Sequence, residues 1–316
     1  MKNSDETVML HAGQEWRWRP GLMKRCYELA LDTFAHVGLE PNRLGGKAPG
    51  VNSKKYGTFK GKRRYLERAD FDQVENFTIA HLVPGGCFPP YESDLYWSVL
   101  RGREIIVAVL PSVLRDQLLT VSTAFRDCAA DCAAQYAYCF HQQVKFGPVA
   151  HCMGATLYIR DDTRNPDLRM NTSWWGGATF GGKPCPPGLL RDIYPESYLS
   201  EPYLCARMGR SATTLKQWIE ADPAHRGTLE PFTDILTRWT PPIEKIPVIR
   251  EELYRAGRVF YWRFMCPEHR DPNDWSKLIP EPLFRPDPSA PWEAPDPIPE
   301  IYRAEYWRDK DPGLTY

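Results

Sequence analysis

The stretch EIIVAVLPSVLRDQLLTVSTAFRDCAADCAAQYAYCFHQQ, residues 104–143, decides the fold. Residues 104–110 set Ile105, Ile106, Val107, Ala108 and Val109 in a row, a density of β-branched residues that suits a strand buried in a sheet. Pro111 and Ser112 then supply a helix start. Beyond them Leu114, Leu118, Val121, Phe125, Cys128, Cys132 and Cys139 fall on a stripe of alternating four- and three-residue steps, interrupted at Gln135. That pattern predicts one long helix lying on the sheet through its apolar face.

Working outward, residues 96–100 and 104–110 flank Arg101, Gly102 and Arg103, which predicts a hairpin. Residues 77–83 and 7–16 read as further strands, the latter through alternation of Val8, Leu10 and Ala12 with Met9 and His11. Between those two strands, residues 21–37 place Leu22, Cys26, Leu29, Ala30, Phe34 and Val37 on one helical stripe that Gly38 ends. Residues 151–159 read as one more strand. The order β-α-β-β-β-α-β predicts an α+β fold: an antiparallel sheet with helices on one face, ferredoxin-like in the N-terminal half with an additional strand.

Four regions are expected. Residues 1–160 form the ferredoxin-like half, and residues 161–187, rich in Gly, Pro and Trp, form a bridge. Residues 188–266 make a smaller α+β half with short helices at 201–208 and 213–221, strand within 228–240, a helix at 248–256 and a late strand at 259–265. Residues 267–316 carry eleven prolines interleaved with Trp275, Trp292, Tyr302, Tyr306 and Trp307, the composition of a tail that wraps in extended form over the body.

Forty basic and forty acidic residues leave no net charge, so no overall field gathers nucleic acid or membrane. No run approaches the roughly 20 apolar residues of a membrane span. Lys2, Asp5 and Glu6 break any apolar run before Trp16, so no secretory signal is expected, and nine cysteines scattered through core elements suit a reducing cytoplasm.

Residues 43–68 read as a long exposed excursion in which Arg43, Lys47, Lys54, Lys55, Lys60, Lys62, Arg63, Arg64 and Arg68 face Glu67 alone. Tyr56, Phe59 and Tyr65 interleave with these cations. Such a stretch serves as a solvated loop, as a surface for an acidic protein partner, or as a track for single-stranded nucleic acid. Trp174 and Trp175 in the bridge are the other binding candidates, since Trp, Tyr and Arg dominate interface energetics.

Chemical signatures are weak. Cys128, Cys132 and Cys139, near His141, His151 and Cys152, continue a hydrophobic stripe and include no C-x-x-C pair, so packing is the better reading than zinc. Cys266-Pro-Glu-His269 lacks a matching second pair. Residues 45–50, GGKAPG, lack the phosphate-loop pattern. A hydrolase would need a pocket near Trp174, with His151 and Asp161 or Asp162 as acid and base. The expectation is no metal, no cofactor and no catalytic residue.

The second half carries Asp192-Ile-Tyr-Pro, Tyr198-Leu199, Tyr203-Leu204, Thr214-Leu215, Trp218-Ile219, Gly227-Thr228-Leu229, Trp239 and Ile249-Arg250 through to Ala256-Gly257. This run resembles bacterial immunity proteins associated with type VI secretion. The resemblance implies a non-catalytic cytoplasmic inhibitor that binds and blocks a toxin, and the basic excursion and Trp174-Trp175 are then the expected interface. The alternatives are a nucleic-acid-binding protein using residues 43–68, and the hydrolase.

Overall fold

Six consecutive residues, Glu104–Val109, are buried, and their backbone groups can then be satisfied only by strands on both sides. In the computed structural model of the chain that is what surrounds them. The structure describes residues 7–14, 18–49, 57–86, 93–102, 104–110, 115–143, 152, 188, 190–209, 211–256, 258–259 and 314–315. These residues belong to two compact units, one formed by those up to Cys152 with Phe232–Leu236 and the segment at 314–315, the other by the remainder.

The first unit runs β1 (Thr7–Gln14), α1 (Leu22–His36), β2 (Arg43–Lys47), β3 (Gly57–Thr58), α2 (Phe59–Leu66), β4 (Asn76–Leu82), β5 (Ser93–Leu100), β6 (Glu104–Val109), α3 (Leu118–Asp131) and β7 (Tyr136–Gln143). Its strands lie in the order β3-β2-β4-β5-β6-β1-β7 with antiparallel neighbours throughout. Because β1 is antiparallel to both β6 and β7, those two run parallel with β1 between them. The α3 connection from β6 to β7 is therefore a split βαβ unit, and the expected α+β architecture is present.

Helix α1 forms as its stripe predicts: Leu22, Cys26, Leu29, Ala30, Phe34 and Val37 are all buried. It stops in a Schellman turn, with Gly38 at φ +72, its amide on the Ala35 carbonyl and the Leu39 amide on Phe34. The hairpin between β5 and β6 turns through Gly102 at φ +67, pairing Leu100 with Glu104.

The stripe after Pro111 departs from expectation. Helix α3 ends at Asp131, and Cys139 sits on β7, where it pairs with His11 of β1. The chain leaves the helix through Ala133 at φ +49, with the Ala133 amide on the Ala130 carbonyl and the Ala134 amide on Ala129. Tyr136, Tyr138 and Phe140 then line up along a strand buried on both faces, the first pair of rings tilted with centroids 5.4 Å apart and the second stacked at 6.0 Å. Aromatic residues in alternation fit a strand better than a continued helix, and here that preference wins over the four-three spacing.

Residues 43–68 also differ from an exposed excursion. Arg43–Lys47 is a full sheet strand, paired with β4 from Ala80 to Asn76. Gly46 lies close under α2 and against β4: a Cβ there would touch Leu66 Cδ1 at 3.5 Å and crowd the Asn76 carbonyl at 3.2 Å. Phe59 and Leu66 bury the inner face of that helix. The ladder extends past β2 through Asn42, whose side-chain amide donates to the Leu82 carbonyl at 2.9 Å and accepts from the Leu82 amide at 2.8 Å.

The second unit contains β8 (Glu196–Leu199), α4 (Glu201–Leu204), α5 (Leu215–Ala221), α6 (Pro223–Arg226), β9 (Thr228–Pro231), β10 (Thr237–Thr240) and α7 (Ile246–Arg255), with β10 between β8 and β9. Thr214 and Gln217 close a capping box on α5. Trp239 is fully buried and donates its indole N–H to the Arg226 carbonyl at 2.6 Å. Arg250 and Asp192 form a buried ion pair at 2.7 Å. Val259, where a late strand was expected, makes an isolated parallel bridge with Leu190. The expected strand at 151–159 falls outside the described residues except for Cys152, which is buried, as does the bridge at 161–187. Of the tail, β11 (Leu314–Thr315) is described and pairs antiparallel with β7.

Candidate functional site

Of the basic stretch, Arg43 and Lys47 lie on β2, and helix α2 carries Lys60, Lys62, Arg63 and Arg64. Thr58 caps its start by accepting from the Gly61 amide at 3.3 Å, and Arg63 and Arg64 occupy its last turn, where cations suit the helix dipole. Phe59, one of the expected binding residues, is buried and anchors the helix rather than facing outward. Arg63 is engaged at home: its Nε donates to Glu67 at 2.7 Å and its guanidinium lies 5.6 Å from the centre of the Phe59 ring. The Lys62 stem lies across Gly57, where an added Cβ would meet Lys62 Cε at 2.7 Å.

Lys60 and Arg64, four residues apart and exposed, share one face of α2, and Tyr65 beside them is 61% exposed. Lys60 stands 3.9 Å from Glu40, both almost fully in solvent. Lys47 pairs with Glu75 at 2.5 Å. Acidic partners for the excursion therefore come from Glu40 and Glu75 outside it as well as from Glu67, and the local positive excess is smaller than residues 43–68 suggest in isolation. That lowers the case for a phosphate-binding track. Lys54, Lys55, Tyr56, Trp174 and Trp175 lie outside the described residues, as do His151, Asp161 and Asp162 of the hydrolase reading and Cys266 and His269.

A second cluster was not legible as a unit. Cys26 of α1 meets Cys128 and Cys132 at the end of α3, with Sγ separations of 3.4 Å to Cys132 and 3.5 Å to Cys128, and all three sulfurs lie within 4.8 Å of one another. The same helix ends are clamped at the surface by Arg25 Nε, which donates to Asp131 at 2.9 Å, and by Arg19, which donates to the Asp131 carbonyl. Cys128 and then Cys132 hydrogen-bond to the Cys26 sulfur and hold its pKa down to about 5, whereas hydrogen bonds to Cys132 and Cys26, with burial, push Cys128 up. Cys139 does not join them; its sulfur is 4.0 Å from His11 Nε2. The available signal was that Cys26 and the Cys128/Cys132 pair each point inward from an amphipathic stripe.

His11 is a further buried ionisable group of the first unit. It stacks on Phe125 with centroids 5.0 Å apart, and its Nε2 is 3.1 Å from Ser122 Oγ. Burial first, and His141 second, lower its pKa to about 3, so it is a neutral core residue without access to a substrate.

Against this geometry the comparisons are sparse. A solved structure titled "Pseudomonas aeruginosa T6SS protein PA0821" is similar in fold, with a TM-score of 0.52 at 11% sequence identity over 80% of this chain and 74% of that one. No protein-family model matches the chain, and no curated protein matches it. Among the described residues no helix is long and apolar enough to cross a membrane.

Proposed function

We propose that this chain is a non-catalytic protein that binds and neutralises a toxin, protecting the cell that makes it. The observation that carries the reading is the outward face of α2, where Lys60, Arg64 and Tyr65 are exposed on a helix fixed from below by Phe59 and Leu66. Cations and an aromatic ring presented on a rigid element are the composition of an interface hot spot, and they suit an acidic partner surface. The fold likeness to a Pseudomonas T6SS protein supports the same direction.

The test is co-expression with secreted toxins of the producing cell, scored by growth rescue, followed by affinity measurement with the toxin that is rescued. Rescue with tight binding that Lys60→Glu/Arg64→Glu weakens more than tenfold is the expected result. Absence of rescue by the folded protein, or turnover of a small substrate by it, would overturn the reading.

A further inference from the structure

Three thiols converge in the core with no other ligand type among them: among the described residues, Cys26, Cys128 and Cys132, all fully buried, are the group placed to hold a metal ion. Sulfur donors alone select soft ions. Zinc with three protein ligands keeps a fourth position for water, and a dry core supplies none. A monovalent soft ion is satisfied by three sulfurs. We propose that Cys26, Cys128 and Cys132 form a three-thiolate site for monovalent copper, bridging α1 to the C-terminal end of α3.

The geometry needs little change. Sulfurs each about 2.3 Å from a common ion stand about 3.8–4.0 Å apart, so the two separations from Cys26, 3.4 Å and 3.5 Å, open by about half an ångström or less on binding. Cys128 and Cys132, one helical turn apart, both face α1, which brings the third sulfur from Cys26. Each thiol that becomes a ligand releases its proton to solvent, with no change in the oxidation state of copper or sulfur.

The protein is titrated anaerobically with cuprous ion against bicinchoninate, then alkylated with and without copper in mild denaturant and mapped by mass spectrometry. The expected result is one ion retained per chain, slower alkylation of Cys26, Cys128 and Cys132 with copper than without it, no copper dependence at exposed Cys205, and a higher melting temperature with copper. Cys205→Ser keeps the ion, and Cys26→Ser and Cys128→Ala reduce affinity at least a hundredfold. The wild-type alkylation map decides the matter even where a variant folds poorly. Loss of all copper to bicinchoninate, equal binding by folded Cys26→Ser, copper-dependent protection at Cys139 or Cys152 in place of the three thiols, or preferential retention of zinc by the same three thiols would each overturn the proposal.

Discussion

Gly227 packs its Cα against the backbone of Thr240 and Pro241 so closely that an added methyl group would overlap the Thr240 carbonyl. Its φ is +87, in the left-handed region. Gly227→Ala therefore meets a fixed backbone obstacle and backbone strain together, in the turn that joins α6 to β9. Denaturant unfolding should show a loss of about 3 kcal/mol or more, at the high end for a single substitution. A loss below about 1 kcal/mol would contradict this packing.

His11 gives the first unit an acid-sensitive core. Its folded pKa is about 3, below the ordinary value of 6.5, so between these values the unfolded chain binds more protons and stability falls as pH falls. The contribution is complete above about pH 6.5 and is lost progressively toward pH 3. His11→Phe should reduce the stability lost between pH 7 and pH 5 by roughly 2 kcal/mol, read from urea midpoints. Parallel pH profiles for the two proteins would count against it.

Ala133 holds a left-handed conformation that glycine adopts without steric cost. Ala133→Gly should stabilise the protein by up to about 1 kcal/mol, offset in part by the freer unfolded chain. A clear fall in melting temperature would show that the methyl group packs usefully.

Asp192 and Arg250 are both largely buried, so removing either takes the opposite charge away from a partner with little exposure to water. Arg250→Met should cost about 3–5 kcal/mol, and adding Asp192→Leu should recover much of it. Additive losses in that double-mutant cycle would argue that the two residues are not coupled.

Lys60 and Arg64 are exposed on α2, so Lys60→Glu/Arg64→Glu should leave unfolding within about 0.5 kcal/mol per site of wild type. The same pair should weaken association with an acidic partner, mainly by slowing capture at low salt. An on-rate independent of salt in the wild type would point to another surface.

How much was legible follows from which signals are local. Helix α1 and strand β6 carry their periodicity in contiguous residues, and both formed where that periodicity placed them. The break after α3 was hidden because Ala133 and Ala134 carry no turn signature, and Gln135 alone interrupted a spacing that ran on to Cys139. Strand β2 was hidden by Gly45 and Gly46, which read as loop residues until β4 is seen paired with them and Leu66 is seen against Gly46. The thiol cluster joins residues 102 and 106 positions apart, and no local spacing encodes that meeting. Likewise, the excursion's ion pairs depend on Glu40 and Glu75 folding back onto it.

One margin of the first sheet closes with β3, a strand of two residues that passes directly into α2. Two residues offer too short a row of amides and carbonyls to template a foreign strand, and the lysines and arginines that follow repel a second copy of the same edge. The sequence that presents charge outward thus also guards this edge against strand-by-strand addition of other chains.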